Sequence, residues 1–307
     1  MPTSEIYRRQ VILLLRIIPF VAAEEVFALK GGTAINLFLR DMPRLSVDID
    51  LMFLPVMPRA DSLVRIDAAM KRIEATVLAN IAKAKVRQGF TDEAVTKLFI
   101  SADQAQVKIE LSPVTRGTVF DPELRPVAQR VEEEFGYAEM PVVSFADLFA
   151  GKLVAALDRQ HPRDLFDVRN LLSSEGITDD LREAFLVYLI SHNRPMYEVL
   201  SGKKKDLAQE YRAGFVGMTD EPVEIADLIK AQDEMIAILI GGMPDRHKTF
   251  LLGFERGEPD WSLLHVPHAS SLPAIRWRQQ NLDTRTREQR AALVDGLERA
   301  LGVRSDN

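Results

Sequence analysis

Residues 30–51 read KGGTAINLFLRDMPRLSVDIDL, and two pieces of this stretch, Lys30-Gly31-Gly32-Thr33 and Ser46-Val47-Asp48-Ile49-Asp50-Leu51, decide the fold. Val26 to Leu29, just upstream, has the composition of a short strand, Gly31-Gly32 forms a tight turn, and Thr33 to Leu39 begins a helix. Backbone N–H groups at a helix start face outward and glycine lets them approach an anion closely. The turn therefore suits a phosphate, with the Thr33 hydroxyl as a further donor. Val47 to Leu54 alternates apolar and acidic residues before Pro55, as in a strand with one wet face. Asp48 and Asp50 then project from the same face. Two neighbouring carboxylates repel unless a cation neutralises them, and Mg²⁺, which prefers oxygen ligands and substrate phosphates, suits the pair. Taken alone, the spacing fits equally a solvated strand face or the acidic pair with which some glycosyltransferases bind a sugar-nucleotide metal.

Outward from this core, Ser62 to Lys85 has the pattern of a long helix, and strands are expected near Val95 to Ser101 and Gln106 to Leu111. Glu110, in Val107-Lys108-Ile109-Glu110-Leu111, lies on an alternating strand whose wet face also carries Lys108. It either reaches the same metal pair as the aspartates or pairs with a cation such as Lys108. Three carboxylates beside a glycine turn are what two-metal phosphoryl transfer requires. The segment from Pro113 to Pro141 is rich in Pro, Gly and charge and is expected to be loop with one strand or short helix. From Ser144 the chain turns helical, with Ser144 and Asp147 as a capping box and helices over Leu148 to Leu157, Asp164 to Leu172, Asp179 to Ser191, Val223 to Leu239, Asp245 to Phe254 and Thr284 to Leu301. The expected architecture is a mixed α/β domain over residues 1–142 and a helical domain over residues 143–307, with the site in the cleft between them.

Composition narrows the function. The chain has 307 residues, 47% of them hydrophobic, enough for two cores. The absence of cysteine removes disulfides, thiolate nucleophiles and cysteine-held zinc, so oxygen ligands must hold any metal unless the five histidines do. A formal charge of −6 argues against broad attraction to nucleic acid and leaves room for a local basic patch. Arg16 and Pro19 interrupt the apolar run Val11 to Ala23, which is expected to form a buried helix with a kink or break near Pro19. Neither a membrane span nor a secretory signal is expected, which points to the cytoplasm.

With these motifs in place, the sequence resembles the minimal nucleotidyltransferase superfamily, whose pattern is Gly-Gly/Ser, a helix, Asp-x-Asp and a third acid on a later strand. Within it, the chain looks like the AbiEii/AbiGii toxin family. The closer match rests on Lys30-Gly31-Gly32-Thr33-Ala34, on Arg44 to Asp50, on Lys108-Ile109-Glu110, and on Lys152 to Arg159 followed by Arg163-Asp164-Leu165-Phe166-Asp167. Gly257-Glu258-Pro259-Asp260-Trp261 matches more weakly. The resemblance implies a nucleotidyltransferase domain before a helical one, with a nucleoside triphosphate (NTP) and Mg²⁺ as cofactors. It further implies an RNA acceptor such as a tRNA end and a place in a toxin–antitoxin or abortive-infection system, with a possible antitoxin encoded nearby. It assigns Gly32 and Thr33 to phosphate contact, beside the Gly31 of the same turn, Asp48 and Asp50 to metal, and Lys152 and Asp167 to the later catalytic motif. Thr33 replaces the serine of many members and keeps the hydroxyl.

Lys152 and Arg159 fall on nearly the same helix face and could neutralise triphosphate charge, with Arg159 or Arg163 adding planar contacts, or they could belong to a solvated face. Asp164 has the position of an N-cap, and Asp167 could complement the helix dipole or bond Arg163. Lys203 to Lys205 and the late arginines Arg276, Arg278, Arg285, Arg287 and Arg290 could hold an RNA backbone or simply be solvated. His265 and His268 are expected at the surface, and Trp261 and Trp277 in a helical core or stacked on a base. The acceptor alternatives are a protein or small-molecule hydroxyl, and the non-enzyme alternative is an antitoxin or binding module that keeps the fold.

Overall fold

A computed structural model describes residues 5–220 and 222–303. The chain divides into two units, one made of Met1–Ser144 with Met218–Glu221 and the other of Phe145–Gly217 with Pro222–Asn307. In the first unit the order is helix α1 (Glu5–Ala22), strand β1 (Phe27–Lys30), a single turn α2 (Gly31–Thr33) widening into a π-helical stretch over Ala34–Leu39, β2 (Asp48–Phe53) and α3 (Arg59–Asn80). There follow β3 (Lys85–Thr91), β4 (Ala94–Ala102), β5 (Ala105–Arg116), β6 (Glu123–Pro126), α4 (Gln129–Phe135) and β7 (Glu139–Val142).

The strands form one mixed seven-stranded sheet in the order β3-β4-β5-β2-β1-β7-β6. β2 pairs with β5, and β1 with β7, in parallel; the other neighbours are antiparallel. Period-two alternation makes one face apolar. Ile49 stands opposite Ile109, and Ile109 opposite Leu98, all fully buried. Each such side chain contributes about 1.5–3 kcal/mol of burial. α3 presents Ile66, Ala69, Met70, Ile73 and Val77 at helical spacing to the interior, and its Glu74 receives a hydrogen bond from Gln88 of β3. α1 buries Val11, Leu14, Ile18 and Val21 against the same assembly and touches α3.

Several elements depart from the sequence expectation. α1 runs through Pro19 to Ala22 without a break, because only one turn follows the proline and few backbone bonds are at stake there. The helix expected to reach Lys85 stops at Asn80, and β3 begins where it was to end. Two-residue turns at Asp92-Glu93 and Asp103-Gln104, all with positive φ, close the β3–β4 and β4–β5 hairpins without the glycine or asparagine that normally marks them. The region after Pro113 holds the end of β5, then β6, α4 and β7, rather than loop with a single element.

Residues 218–220 belong to the first unit. The Leu45 amide donates to the Met218 carbonyl at 2.9 Å, and Arg130 bonds both Asp220 and Glu134.

The second unit is helical: α5 (Phe145–Asp158), α6 (Pro162–Ser173), α7 (Asp179–Ile190), α8 (Met196–Leu200), α9 (Ala208–Gly214), α10 (Ile225–Ile236), α11 (Asp245–Arg256), α12 (Pro273–Asp283) and α13 (Arg287–Ala300). Among the described residues no helix is long and apolar enough to cross a membrane.

Candidate active site

Strand register places the acidic residues in two cross-strand rows on the sheet face opposite the apolar one. In the first, Lys30 of β1 stands beside Asp50 of β2, Asp50 beside Glu110 of β5, Glu110 beside Lys97 of β4 and Lys97 beside Gly89 of β3. In the second, Asp48 stands beside Lys108, Lys108 beside Phe99 and Phe99 beside Arg87. Side chains directly opposite on one face interact, so the adjacent carboxylates Asp50 and Glu110 are flanked by the ammonium groups of Lys30 and Lys97, and Asp48 by that of Lys108. Asp48, Asp50 and Glu110 therefore share a face, as the alternation predicted. The pairing of Glu110 with Lys108, one of the two alternatives read from sequence, is present; the part played by Lys97 and Lys30 was not read from it. Lys108 Nζ lies 2.7 Å from Glu110 Oε2 and 3.7 Å from Asp48 Oδ2, and Lys97 Nζ lies 2.7 Å from Glu110 Oε1.

The electrostatics of the acids differ. Burial pushes the Asp50 carboxyl up; Lys30 opposes the shift, and Asp48 reinforces it. Burial likewise lowers Lys30, against the pull of Asp50 and Glu110. For Glu110, burial alone would raise the pKa, but hydrogen bonds from Lys108 and Lys97 outweigh it and hold the carboxyl below its ordinary value. A depressed carboxylate contributes stability that is present above its unfolded pKa and is lost as pH falls through the folded one. Glu110→Gln is thus expected to lower the melting temperature by a few degrees at pH 7, with the gap to the parent closing in acid below the ordinary glutamate range. Thermal melts of both proteins across pH check it, and a gap that persists unchanged in acid would remove the ion-pair explanation.

The glycine turn is fitted to the acids. Gly31 has φ +78°, and a Cβ there would lie 2.6 Å from Asp50 Oδ2; at Gly32 a Cβ would meet Ser46 Oγ at 2.7 Å and Arg44 Nη2 at 2.9 Å. Both strain and collision oppose a side chain at Gly31. Gly31→Ala is expected to cost about 1–3 kcal/mol and to displace the Asp50 carboxylate, measured as a lower melting temperature together with lost activity. A variant that keeps both would refute the close approach. Thr33 is fully buried, and its hydroxyl is engaged with Ser46 Oγ at 3.2 Å. In this arrangement the Thr33 hydroxyl is turned toward Ser46. The π-helical stretch closes with Arg40 N–H donating to the Ile35 carbonyl, and Asn36 reaches back to the Gly32 carbonyl at 2.8 Å. The Ser46 amide donates to the Tyr7 hydroxyl, whose pKa burial pushes up to about 12. Arg44 is 3% exposed against this turn. Its place in the motif was visible in the sequence, its burial under Gly32 was not.

In the second unit, Lys152 of α5 is buried between Asp164 Oδ1 at 2.8 Å and Asp167 Oδ2 at 3.0 Å, both of α6. Arg159, largely exposed, reaches Asp164 Oδ2 at 2.9 Å, while Arg163 is exposed. Asp164 is not the N-cap: His161 caps α6 by accepting from the Arg163 amide at 3.1 Å, and Pro162 at the first helical position leaves Asp164 inside the first turn, turned to Lys152. Asp167 likewise meets Lys152. Lys204 pairs with Asp233, and Lys205 donates to the Asp158 and Arg159 carbonyls. Arg278 is buried beside Glu255 at 3.6 Å. His265 Nδ1 lies 2.8 Å from the buried Glu183, Trp261 packs against Phe250, and Trp277 is exposed.

Among the described residues no three histidine, cysteine, aspartate or glutamate side chains are drawn together closely enough to hold a metal ion. The first unit's face nevertheless has the donor chemistry of a hard divalent cation: oxygen only, three carboxylates in adjacent positions, and an Asp50 that burial and a neighbouring carboxylate load with unfavourable charge. Asp48 is half exposed, and Glu110 is paired with the ammonium groups of Lys97 and Lys108.

The sequence matches the family model described as nucleotidyl transferase AbiEii toxin, type IV TA system, over residues 12–281. No curated protein matches it. Among solved structures it is similar to MenT4, a nucleotidyltransferase toxin from Mycobacterium tuberculosis H37Rv, at 16% identity with a TM-score of 0.58, covering 95% of this chain and 93% of that one. At that identity the likeness concerns the fold.

Proposed function

The chain belongs to the AbiEii family of nucleotidyltransferase toxins of type IV toxin–antitoxin systems, and from that premise we propose that it moves a nucleoside monophosphate from an NTP to an RNA acceptor, a tRNA end in particular, with Mg²⁺ held by Asp48, Asp50 and Glu110. Family membership itself carries the nucleotidyltransferase activity, the NTP substrate and an antitoxin partner. The observation that supports the finer reading is the placement of those three acids in adjacent register on one sheet face, with Gly31 in contact with Asp50.

When bound, divalent ions at such carboxylates neutralise the triphosphate and stabilise the departing pyrophosphate. The chain's residues prepare the rest. Gly31 and Gly32, lacking side chains, let the turn come against Asp50 and leave its backbone free to approach a phosphate. Lys30 holds Asp50 from one side of the row. Lys108 and Lys97 keep Glu110 ionised and in place. Lys152 and Asp167 keep the catalytic role that the resemblance implies as part of this proposal: an ammonium fixed by two carboxylates is preorganised to meet phosphate charge. The acceptor hydroxyl oxygen bonds to the α-phosphorus, the bond to the pyrophosphate breaks, and the hydroxyl proton is lost to base. A cytoplasmic site of action, where NTP and RNA are both present, completes the reading.

The test is incubation of the purified chain with each α-labelled NTP, total RNA and total protein, with Mg²⁺ or with chelator. Label in RNA that depends on Mg²⁺ is expected. Label in protein alone, or in RNA despite chelator, overturns the acceptor or the metal respectively.

A further inference from the structure

The two cross-strand rows do not stop at the acids. From Asp48 the second row runs through Lys108 and Phe99 to Arg87 on β3, the edge strand of the sheet. At its far end the Arg87 guanidinium carbon lies 4.0 Å from the centre of the Phe99 ring. Arg87 is exposed, Phe99 half-buried, and Lys85, also exposed, precedes Arg87 on the same face. Lys97 and Lys108 are neutralised by Glu110 and Asp48, whereas Lys85 and Arg87 have no carboxylate partner among the described residues. The face thus grades from acidic at β2 to unpaired positive charge at β3. A planar cation lies over an aromatic ring at the positive end.

We infer that this end of the sheet, Phe99 and Arg87 with Lys85, binds single-stranded RNA next to the acceptor end, one base stacking on the Arg87–Phe99 pair. The inference rests on the proposed RNA acceptor. Three interstrand steps separate Asp48 from Arg87, about 14 Å at the usual strand spacing, the length of about four stacked bases. The chemistry selects RNA in single-stranded form. A flat guanidinium–aromatic surface stacks any base whose face is free, and a duplex hides those faces. The unpaired cations meet the phosphates on either side, while the overall charge of −6 keeps the rest of the chain from attracting the strand. An extended ligand crossing the strands would lie along the row that leads to the acids.

The experiment measures fluorescence anisotropy of a 5′-labelled single-stranded RNA oligonucleotide, and of the same strand in a blunt duplex, with the full chain without NTP. Arg87→Gln, Phe99→Leu and the double variant are compared with the parent, with thermal melting to verify folding. Arg87→Gln changes an exposed position and tests the idea even if Phe99→Leu loosens the sheet. The double variant is expected to bind the single strand on the order of tenfold more weakly, with duplex binding weak and unchanged. Arg87→Gln is expected to reduce the salt dependence of single-strand binding. Parent-like affinity and salt dependence in a folded Arg87→Gln variant would make Arg87 a guard of the edge strand and overturn the inference. A parent that binds no single-stranded RNA would overturn it together with the RNA reading. If the parent labels RNA in the transfer assay but the variants have unaltered KM for RNA, the inference alone fails.

Discussion

Asp50→Asn is expected to reduce nucleotidyl transfer by on the order of 10²-fold or more, while its melting temperature equals or exceeds that of the parent. The two effects have one cause. Asp50 is half-buried between Lys30 and Glu110, beside Asp48 on its own strand, and its carboxyl is shifted upward mainly by desolvation. A carboxyl with a raised folded pKa binds protons more readily folded than unfolded, so stability falls as pH rises from its unfolded value through its folded one. Asparagine carries no such charge, and the variant should gain on the parent from acid toward neutral pH. It also lacks the anionic oxygen that a cation requires. Melting curves at pH 4 to 8 and transfer assays with Mg²⁺ decide the matter, and full activity in the folded variant would sink the metal assignment.

Lys152→Ala is expected to lower the melting temperature of the second unit by about 10 °C. The ammonium lies between two carboxylates that are 5% and 1% exposed, and the lysine is itself 8% exposed. Removing one partner of a buried ion pair strands the others and costs about 3–5 kcal/mol, and in a unit of this size each kcal/mol is about 2–4 °C. Lys152→Arg, which keeps the charge, should recover part of the loss. Activity lost in the alanine variant therefore speaks to catalysis only below its melting transition. There, an unchanged KM and turnover with NTP would leave the lysine a purely structural role, whereas a raised KM in a folded Lys152→Arg variant would support phosphate contact.

How much of this was legible in the chain varied with the range of the interaction. The alternation around Asp48 and Asp50 and around Glu110 is local, and it oriented all three acids correctly toward one face. Gly31-Gly32 marked the turn for the same reason. The partners of those acids are set by register between strands distant in sequence, so Lys30 and Lys97 carried no visible sign of their place. β3 carries no expectation from sequence beyond Lys85, the anticipated helix end, because its exposed charged residues do not alternate with a clear apolar face and the turn after it, Asp92-Glu93, lacks the residues that usually adopt positive φ. Asp164 shows the converse failure: its side chain's local habit is to bond nearby backbone, as in the expected N-cap, and it is drawn instead into a tertiary contact with Lys152.

The return of residues 218–220 to the first unit bears on how the chain is made. The carbonyl of Met218 and the carboxylate of Asp220 close contacts with Leu45 and Arg130. On the ribosome these partners emerge about seventy residues after Ser144, the end of the unit's main segment. At bacterial-to-eukaryotic synthesis rates of roughly 5–20 residues per second, the first unit, its seven strands already made, waits several seconds for this last tie between the loop before β2 and α4. Throughout that interval α5 to α9 are already leaving the tunnel. The two units thus mature as interleaved events in translation, and a nascent chain released before Met218 carries the acids in a unit whose Leu45 loop and α4 lack their final clasp.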